Sequence, residues 1–296
     1  MSVVNEVTVL FLVLLVGVLC RTLRFFTDET IHGVTQLVIN VTLPALTICN
    51  MEREFSREIL LGFFHCFFLA FCLIVVITLL SYHVFFRSNP HPRRVVIAGL
   101  LGFSNCGFMG YPIILAVNPD WMIYAVAFNI AYTVASWSVY VSLYGNGRFD
   151  PRRILLNPNI IAAFIGLAVF CLRITLPPVI SRTLSMVGNL TTPLTMLIVG
   201  ARIVGMRLRD LADRQVHLIT LLRLVVIPLI SYGFVRLLPV SPDVARTIFL
   251  LQAMPCGTLN SMQAELYGGD VSFSARTTAW SALLCIVSVP LICQLL

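Results

Sequence analysis

Two short stretches of this sequence combine residues that interrupt a helix with residues that bind polar ligands. The first runs from Phe103 to Pro112, inside an apolar run, and contains Asn105, Gly107 and Gly110. Proline lacks the N–H that a helix interior uses, glycine is a poor helix former, and asparagine competes for backbone hydrogen bonds. We therefore predict that this helix is interrupted and that its free backbone groups are available to a ligand.

The second stretch repeats this combination about 150 residues later, with Pro255, Gly257, Thr258 and Asn260. A helix that begins inside a membrane presents unpaired N–H groups and about half a positive charge. An anion binds at such an end without any cationic side chain. Both stretches are therefore candidate sites for a carboxylate.

The two stretches form one site if they lie side by side. We expect new helices to begin near Gly110 or Pro112 in the first stretch and near Thr258 or Asn260 in the second. If they cross antiparallel, both positive ends approach one carboxylate, and Asn105 and Asn260 orient it. The alternative is a pair of proline-kinked helices whose glycines allow close packing.

The elements that position these stretches are membrane helices. Of the 296 residues, 58% are hydrophobic and 11% are charged, which excludes an ordinary soluble domain. Segments of about 20 apolar residues are long enough to cross a bilayer. Ten such segments are predicted, at residues 4–20, 31–51, 59–80, 94–117, 121–144, 157–173, 177–203, 215–238, 244–266 and 271–294.

The charge pattern predicts the orientation of these segments. The formal net charge of +7 comes from arginines, which cluster in the short loops and favour a membrane surface over nucleic acid. Most of them follow odd-numbered segments, so those loops are expected to be cytoplasmic and both termini to face outward. Glu6 stands where a signal peptide would carry a basic residue, so we expect the first segment to be retained.

An internal repeat is indicated by residues that recur at a nearly constant separation. The pairs are Gly17 with Gly166 and Pro44 with Pro193, 149 residues apart, and Cys106 with Cys256, 150 apart. Five segments per half is an odd number, so the second half must enter the membrane from the opposite face. We predict an all-α integral membrane protein made of two inverted five-helix repeats, residues 1–148 and 149–296.

Several motifs, in their order and spacing, resemble the auxin efflux carrier family, which includes plant auxin exporters and bacterial malate or malonate permeases. They are Leu43 to Leu46, Asn105 to Pro112, Asn157 with Pro158, Pro193 with Gly200, Pro255 to Asn260, and Ala264 to Asp270. The resemblance covers essentially the whole chain. The short loop between the halves is similar to that of the short bacterial members.

The resemblance implies a ten-helix fold similar to those of bile-acid symporters and sodium/proton antiporters, with broken, crossing helices 4 and 9. It further implies that helices 1, 2, 6 and 7 form a scaffold through which the protein is a homodimer, while helices 3–5 and 8–10 form a transport unit. The implied function is a permease or efflux carrier for small organic anions in a bacterial inner membrane.

Five further residues are candidates with two interpretations each. Pro44 and Pro193 either line the same cavity from the scaffold or only kink their helices. Arg223 either extends to the cytoplasmic surface or pairs with an anion or an acidic partner. Glu265 either takes up a coupling proton or cation or forms an interfacial salt bridge. His65 either relays protons or is a hydrogen-bonded structural residue.

Catalytic and cofactor chemistry is not indicated. The sequence contains no nucleophile–base pair, metal-ligand cluster or phosphate-binding loop, so neither an enzyme nor a bound metal or cofactor is expected. Arg202, near the end of its segment, is expected to extend to the membrane surface. The leading hypothesis is a secondary transporter, with proton or sodium coupling left open. The alternatives are an anion channel or a ligand-binding membrane receptor.

Overall fold

The computed structural model describes residues 3–145, 149–204 and 213–295. Within these ranges the regular structure is helical, and we number the helices α1 to α13 in chain order. They are α1 Val3–Thr22, α2 Asp28–Met51, α3 Arg57–Phe85, α4 His91–Gly102, α5 Cys106–Val117, α6 Pro119–Tyr140, α7 Pro151–Leu155, α8 Pro158–Cys171, α9 Pro178–Ile203, α10 Arg214–Arg236, α11 Pro242–Gln252, α12 Leu259–Tyr267 and α13 Val271–Cys293.

Seven of the described helices are long and apolar enough to cross a membrane, namely α1, α2, α3, α6, α9, α10 and α13. The protein is therefore a multi-pass membrane protein. Predicted segment six contains only α8, whose 14 residues extend about 21 Å, less than the roughly 30 Å of a hydrocarbon core. Predicted segments four and nine each contain two short helices. The number of ten crossings thus stays a prediction.

Some sequence-level predictions lie outside the described residues. They are the boundary between the halves at residue 148 and the loop arginines Arg148, Arg207 and Arg209. The short helix α7, which follows this boundary, was not predicted from the sequence.

Capping residues determine where several helices begin. The side chains of Thr27, Ser56, Asp213 and Ser241 accept hydrogen bonds from backbone N–H groups in the first turns of α2, α3, α10 and α11. These bonds satisfy donors that a helix N-terminus otherwise leaves unpaired. Helix α12 ends at a glycine. Gly268, its C-cap residue, adopts a φ of 79°, a left-handed conformation that favours glycine.

Three helices widen to a π-helical turn that ends two residues before a proline. These turns are Val38–Thr42 before Pro44, Cys106–Gly110 before Pro112, and Leu222–Val226 before Pro228. A proline ring clashes with the carbonyl four residues earlier and removes one hydrogen bond. The wider turn shifts the pairing to residues five apart, so the helix continues through the proline.

One group of helices consists of α1, α2, α8 and α9. Helix α1 packs along the second half of α9, and the second half of α2 packs on α8 and α9. Glycines make the first contact close, because a Cβ at Gly17 would lie 2.2 Å from the Leu197 carbonyl oxygen. A Cβ at Gly200 would lie 1.9 Å from the Leu14 carbonyl oxygen. Larger residues at either glycine would force α1 and α9 apart.

At the centre of this group, Thr191 Oγ1 donates to Thr42 Oγ1 at 2.9 Å, and both side chains are buried. The two residues are 149 positions apart, the same separation that relates Gly17 to Gly166. Contact between equivalent residues is what a pseudo-twofold axis between inverted halves would produce. The division into two inverted halves remains a prediction.

The second group consists of α3 to α6 and α10 to α13. In it, α3 packs against α6, α11 packs against both of them, and α10 packs against α11 and α13. Helices α5 and α13 contact α1 and α9 of the first group. The first interrupted segment therefore lies beside the interface between the groups.

Candidate functional site at the crossing of two broken helices

Four helix ends meet at the crossing. Helix α4 ends at Gly102 and α5 begins at Cys106, while α11 ends at Gln252 and α12 begins at Leu259. Each interruption therefore supplies one helix C-terminus, with a partial negative charge, and one N-terminus, with a partial positive charge. The predicted interruptions are present in both segments.

The two interrupted stretches are joined by backbone hydrogen bonds. Asn105 N donates to Pro255 O at 2.7 Å, and Gly257 N donates to Phe103 O at 2.9 Å. These bonds make a short antiparallel contact, in which Ser104 forms a bridge with Cys256. The crossing expected from the sequence is therefore a feature of the fold.

The close approach of the two backbones requires a glycine at only one of two equivalent positions. A Cβ at Gly257 would lie 2.9 Å from the Tyr132 hydroxyl and 3.0 Å from the Ser104 carbonyl oxygen. A Cβ at Gly107 would lie 3.6 Å from its nearest neighbour, Asn129 Nδ2, which is an ordinary contact. Gly257 is thus constrained by the crossing and Gly107 is not.

The second half of segment four was predicted to begin near Gly110 or Pro112. Regular α-helix does begin there, at Tyr111, but a π-helical turn extends the helix back to Cys106. The helix begins at Cys106, so Gly107, Gly110 and Pro112 lie inside α5 and not at its N-terminus. The π-helical turn accommodates Pro112, and Gly110 is buried against Leu251, whose Cδ2 would lie 2.6 Å from an added Cβ. In the other segment, Thr258 is the N-cap of α12, as predicted.

Arg223 stabilises the negative ends of both interruptions. Its side chain is fully buried, and its guanidinium donates to Leu101 O at 2.6 Å, Met254 O at 3.2 Å and Gln252 O at 2.9 Å. Leu101 and Gln252 lie in the last turns of α4 and α11, and Met254 follows the end of α11 by two residues. The interpretation that Arg223 extends to the surface is wrong, because the side chain is fully buried. Among the described residues it pairs with carbonyl groups and with no acidic side chain.

A cavity of about 240 Å³ lies next to the crossing, on the side of the positive ends. Its polar lining comes from the N-cap residues of α5 and α12, from α12 and α13, and from α9 of the other group. The lining residues are Asn105, Thr258, Ser261, Thr278 and Arg202, with Val199, Ile203, Ala275, Ala279 and Ala282 as the apolar part. The described lining contains one cationic side chain and no carboxylate.

Two polar side chains on this lining have no partner among the described residues. Asn105 is only 5% exposed, and its side-chain amide makes no hydrogen bond there. The Thr278 hydroxyl is buried and likewise unpaired. Buried polar groups are nearly always hydrogen-bonded, so these two groups are positions at which a ligand or water in the cavity would bind.

Arg202 lines the same cavity from α9. Its Nη2 donates to Thr35 Oγ1 of α2 at 3.2 Å, and no described carboxylate lies within salt-bridge distance. The sequence predicted that Arg202 extends to the membrane surface, and the residue is indeed exposed while it also lines the cavity. Ser261 and Thr278 were not predicted from the sequence. The one sequence feature that pointed to Arg202 was its position inside the predicted segment 177–203, one residue before that segment ends.

Several predicted site residues do not line this cavity. Asn260 is buried and donates from Nδ2 to Phe103 O at 3.4 Å and to Gly257 O at 2.9 Å, so its amide holds the crossing together. Pro255 is buried within the crossing. Pro44 and Pro193 lie in α2 and α9 but are not part of the lining.

Glu265 and His65 lie elsewhere in the fold. Glu265 is exposed near the end of α12 and has no ion pair among the described residues. His65 lines a separate surface cavity of about 490 Å³ with Arg57, Glu58 and Ser241. Neither residue is part of the crossing. In the part of the chain that the structure describes, no group of three His, Cys, Asp or Glu residues has an arrangement that could hold a metal ion.

Comparison with known families assigns a class to this architecture. A family model described as "Membrane transport protein" matches residues 2–146 and 145–293, nearly the whole chain. The chain belongs to this family of membrane transport proteins. The match confirms the resemblance to the auxin efflux carriers and the class of a multi-pass membrane transporter. No curated protein matches the chain.

Proposed function

We propose that this membrane transport protein is a secondary carrier that moves small organic anions, such as malate, malonate or auxin-like carboxylates, by alternating access. The observation that supports it is the cavity at the crossing. There the N-termini of α5 and α12, the free amide of Asn105 and the cation Arg202 line one space whose described lining has no acid. Positive helix ends and a guanidinium both stabilise a carboxylate.

The size of the cavity supports a small substrate. Its volume of about 240 Å³ is below the roughly 300–1,000 Å³ of sites for drug-sized ligands. A carboxylic acid with a few carbon atoms suits this space better than a molecule the size of a bile acid.

The position of the cavity between two helix groups supports alternating access. Val199, Arg202 and Ile203 belong to α9 of the first group, whereas Asn105 and Thr258 belong to the second. A bound anion contacts both groups, so a displacement of one past the other would change the side from which the site is reached. Residues 199–203 lie towards the membrane face that the arginine pattern predicts to be cytoplasmic.

The remaining features of the carrier follow the family resemblance. We propose a homodimer formed through α1, α2, α8 and α9, in a bacterial inner membrane, with both termini on the outer side. Coupling to protons or sodium stays open. The absence of a carboxylate from the described lining argues against a cation site built on mid-membrane acids.

Counterflow across proteoliposomes tests this proposal against the two alternatives. Vesicles containing the purified protein and unlabelled malonate are expected to accumulate external radiolabelled malonate by exchange. An anion channel would give flux that does not depend on internal malonate, and a receptor would bind malonate without flux. Either result would overturn the proposed carrier.

A further inference from the structure

The cavity has two positive features, which come from different helix groups. Asn105 and Thr258 are the N-cap residues of α5 and α12 in the second group, so both lie at positive helix ends. Arg202 lines the same cavity from α9 of the first group. A ligand with a single carboxylate can engage one of these features fully, whereas a ligand with a carboxylate at each end can engage both.

Arg202 retains the donors needed for such a contact. One Nη2 hydrogen bond goes to Thr35 Oγ1, and the remaining N–H groups have no partner among the described residues. A guanidinium has five N–H donors in a planar fork that matches a carboxylate. Among the described residues, the bond to Thr35 therefore occupies one of these five donors.

The rest of the lining also supplies polar groups to a ligand. The Thr278 hydroxyl is buried and has no partner among the described residues, and Ser261, which contacts Ser274 Oγ at 3.0 Å, lies three residues after Thr258. Asn105 and Arg202 reach this cavity from different helix groups. These groups provide hydrogen-bonding positions that a purely apolar passage would lack.

We propose that Arg202 is a specificity-determining residue, which binds a second carboxylate and makes the carrier prefer dicarboxylates to monocarboxylates of the same size. This inference rests on the proposed function, because it requires that the first carboxylate occupies the crossing. Arg202 and the crossing belong to different helix groups, so a dicarboxylate would bridge the two groups while it is bound.

The test compares malonate with malonamate, in which one carboxylate is replaced by an amide of nearly the same shape. Competition of each compound against radiolabelled malonate is measured in proteoliposomes, and thermal shifts of the purified full-length protein report binding directly. The wild type is expected to prefer malonate. In Arg202→Gln, we expect malonate affinity to fall roughly tenfold to hundredfold, because a charge-assisted hydrogen bond is lost, while malonamate affinity stays within about threefold.

Two further variants keep the test decisive. Arg202→Lys retains the charge and is expected to keep part of the preference, which separates recognition from misfolding. Arg276→Gln removes a positive charge from the exposed surface of α13, beside Ala275 of the lining, and is expected to leave the preference unchanged. A preference that falls equally in both glutamine variants would indicate a general surface-charge effect and overturn the role of Arg202.

The outcomes also separate this inference from the function on which it rests. If the wild type binds neither compound and exchanges neither, the proposed carboxylate carrier is wrong. If it exchanges both compounds and Arg202→Gln weakens them equally or not at all, the carrier stands and the role of Arg202 is wrong.

Discussion

Asn105 and Asn260 lie at the two interruptions that cross, yet their amides have different surroundings. Asn260 is inside the first turn of α12 and donates to Phe103 O and Gly257 O. Asn105 lies just before α5, and its side chain lines the cavity without a partner among the described residues. One amide holds the two stretches together, and the other is available to a ligand.

This difference shows how a broken helix is tolerated in a membrane while it provides a binding site. Backbone groups at an interruption must be satisfied by protein or water. Asn260 and Arg223 satisfy carbonyl groups around the crossing. Both side chains act there as donors, so the N–H groups at the two positive helix ends are left to other partners. Some residues stabilise the crossing and others are available to a ligand. Substitutions that affect one of these roles and not the other therefore test the comparison.

The largest effect is expected at Arg223, because it serves both interruptions. Arg223→Leu removes the donors to Leu101 O, Gln252 O and Met254 O. Leaving these buried carbonyls unpaired should cost about 3 kcal/mol or more, so we expect the thermal unfolding midpoint in detergent to fall and transport to be lost. Arg223→Lys, which keeps the charge with fewer donors, should lie between this variant and the wild type. Wild-type stability in Arg223→Leu would contradict this stabilising role.

A smaller effect is expected from a methyl group at Gly257. Overpacking against Ser104 O and the Tyr132 hydroxyl costs about 1–3 kcal/mol, so Gly257→Ala should reduce the transport rate roughly tenfold. Gly107→Ala is the matched control, since its Cβ would make an ordinary contact, and its rate should stay within about twofold of the wild type. Equal effects of the two substitutions would contradict the constraint that the crossing places on Gly257.

The two asparagines should differ in which property they lose. Asn260→Ala removes hydrogen bonds that hold the crossing and should lower the free energy of unfolding by about 1–3 kcal/mol. Asn105→Ala should leave the ligand-free unfolding midpoint unchanged and weaken malonate binding by roughly tenfold. Thermal unfolding with and without malonate measures both. If Asn105→Ala unfolds earlier and binds normally, Asn105 is structural as well.

The smallest effect is expected at Glu265, which is exposed and outside the lining of the cavity. Surface substitutions usually change free energies by less than about 0.5 kcal/mol, so Glu265→Gln should keep malonate exchange within about twofold of the wild type. Exchange is measured with sodium and with choline as the external cation, at two pH values. A large loss of rate, or a changed response to sodium or pH, would assign Glu265 a part in coupling.

The sequence predicted that two helices are interrupted and that the interruptions cross, but not where each new helix begins. Proline, glycine and asparagine weaken a helix through local effects, so the breaks near Asn105 and Gly257 were visible in the sequence. The start of α5 was misplaced, because a π-helical turn before Pro112 lets the helix include that proline. This adjustment depends on backbone pairing that composition does not reveal.

Residues whose surroundings come from distant parts of the chain were harder to assign. Arg223 contacts carbonyls 29 to 122 positions away, and Arg202 contacts Thr35 at a separation of 167. The sequence identified each as a charge within a predicted segment, where a cost of burial is expected. It could not identify their partners, because these depend on how the helices pack.

The bond between Thr42 and Thr191 explains why a hydroxyl suits the centre of a duplicated architecture. If the two halves arose from copies of one shorter chain, a residue on the symmetry axis would have faced its own duplicate. A hydroxyl can donate and accept at the same time, so threonine is self-complementary there, whereas two arginines or two glutamates would repel each other. Such a position needs no second mutation to create its partner.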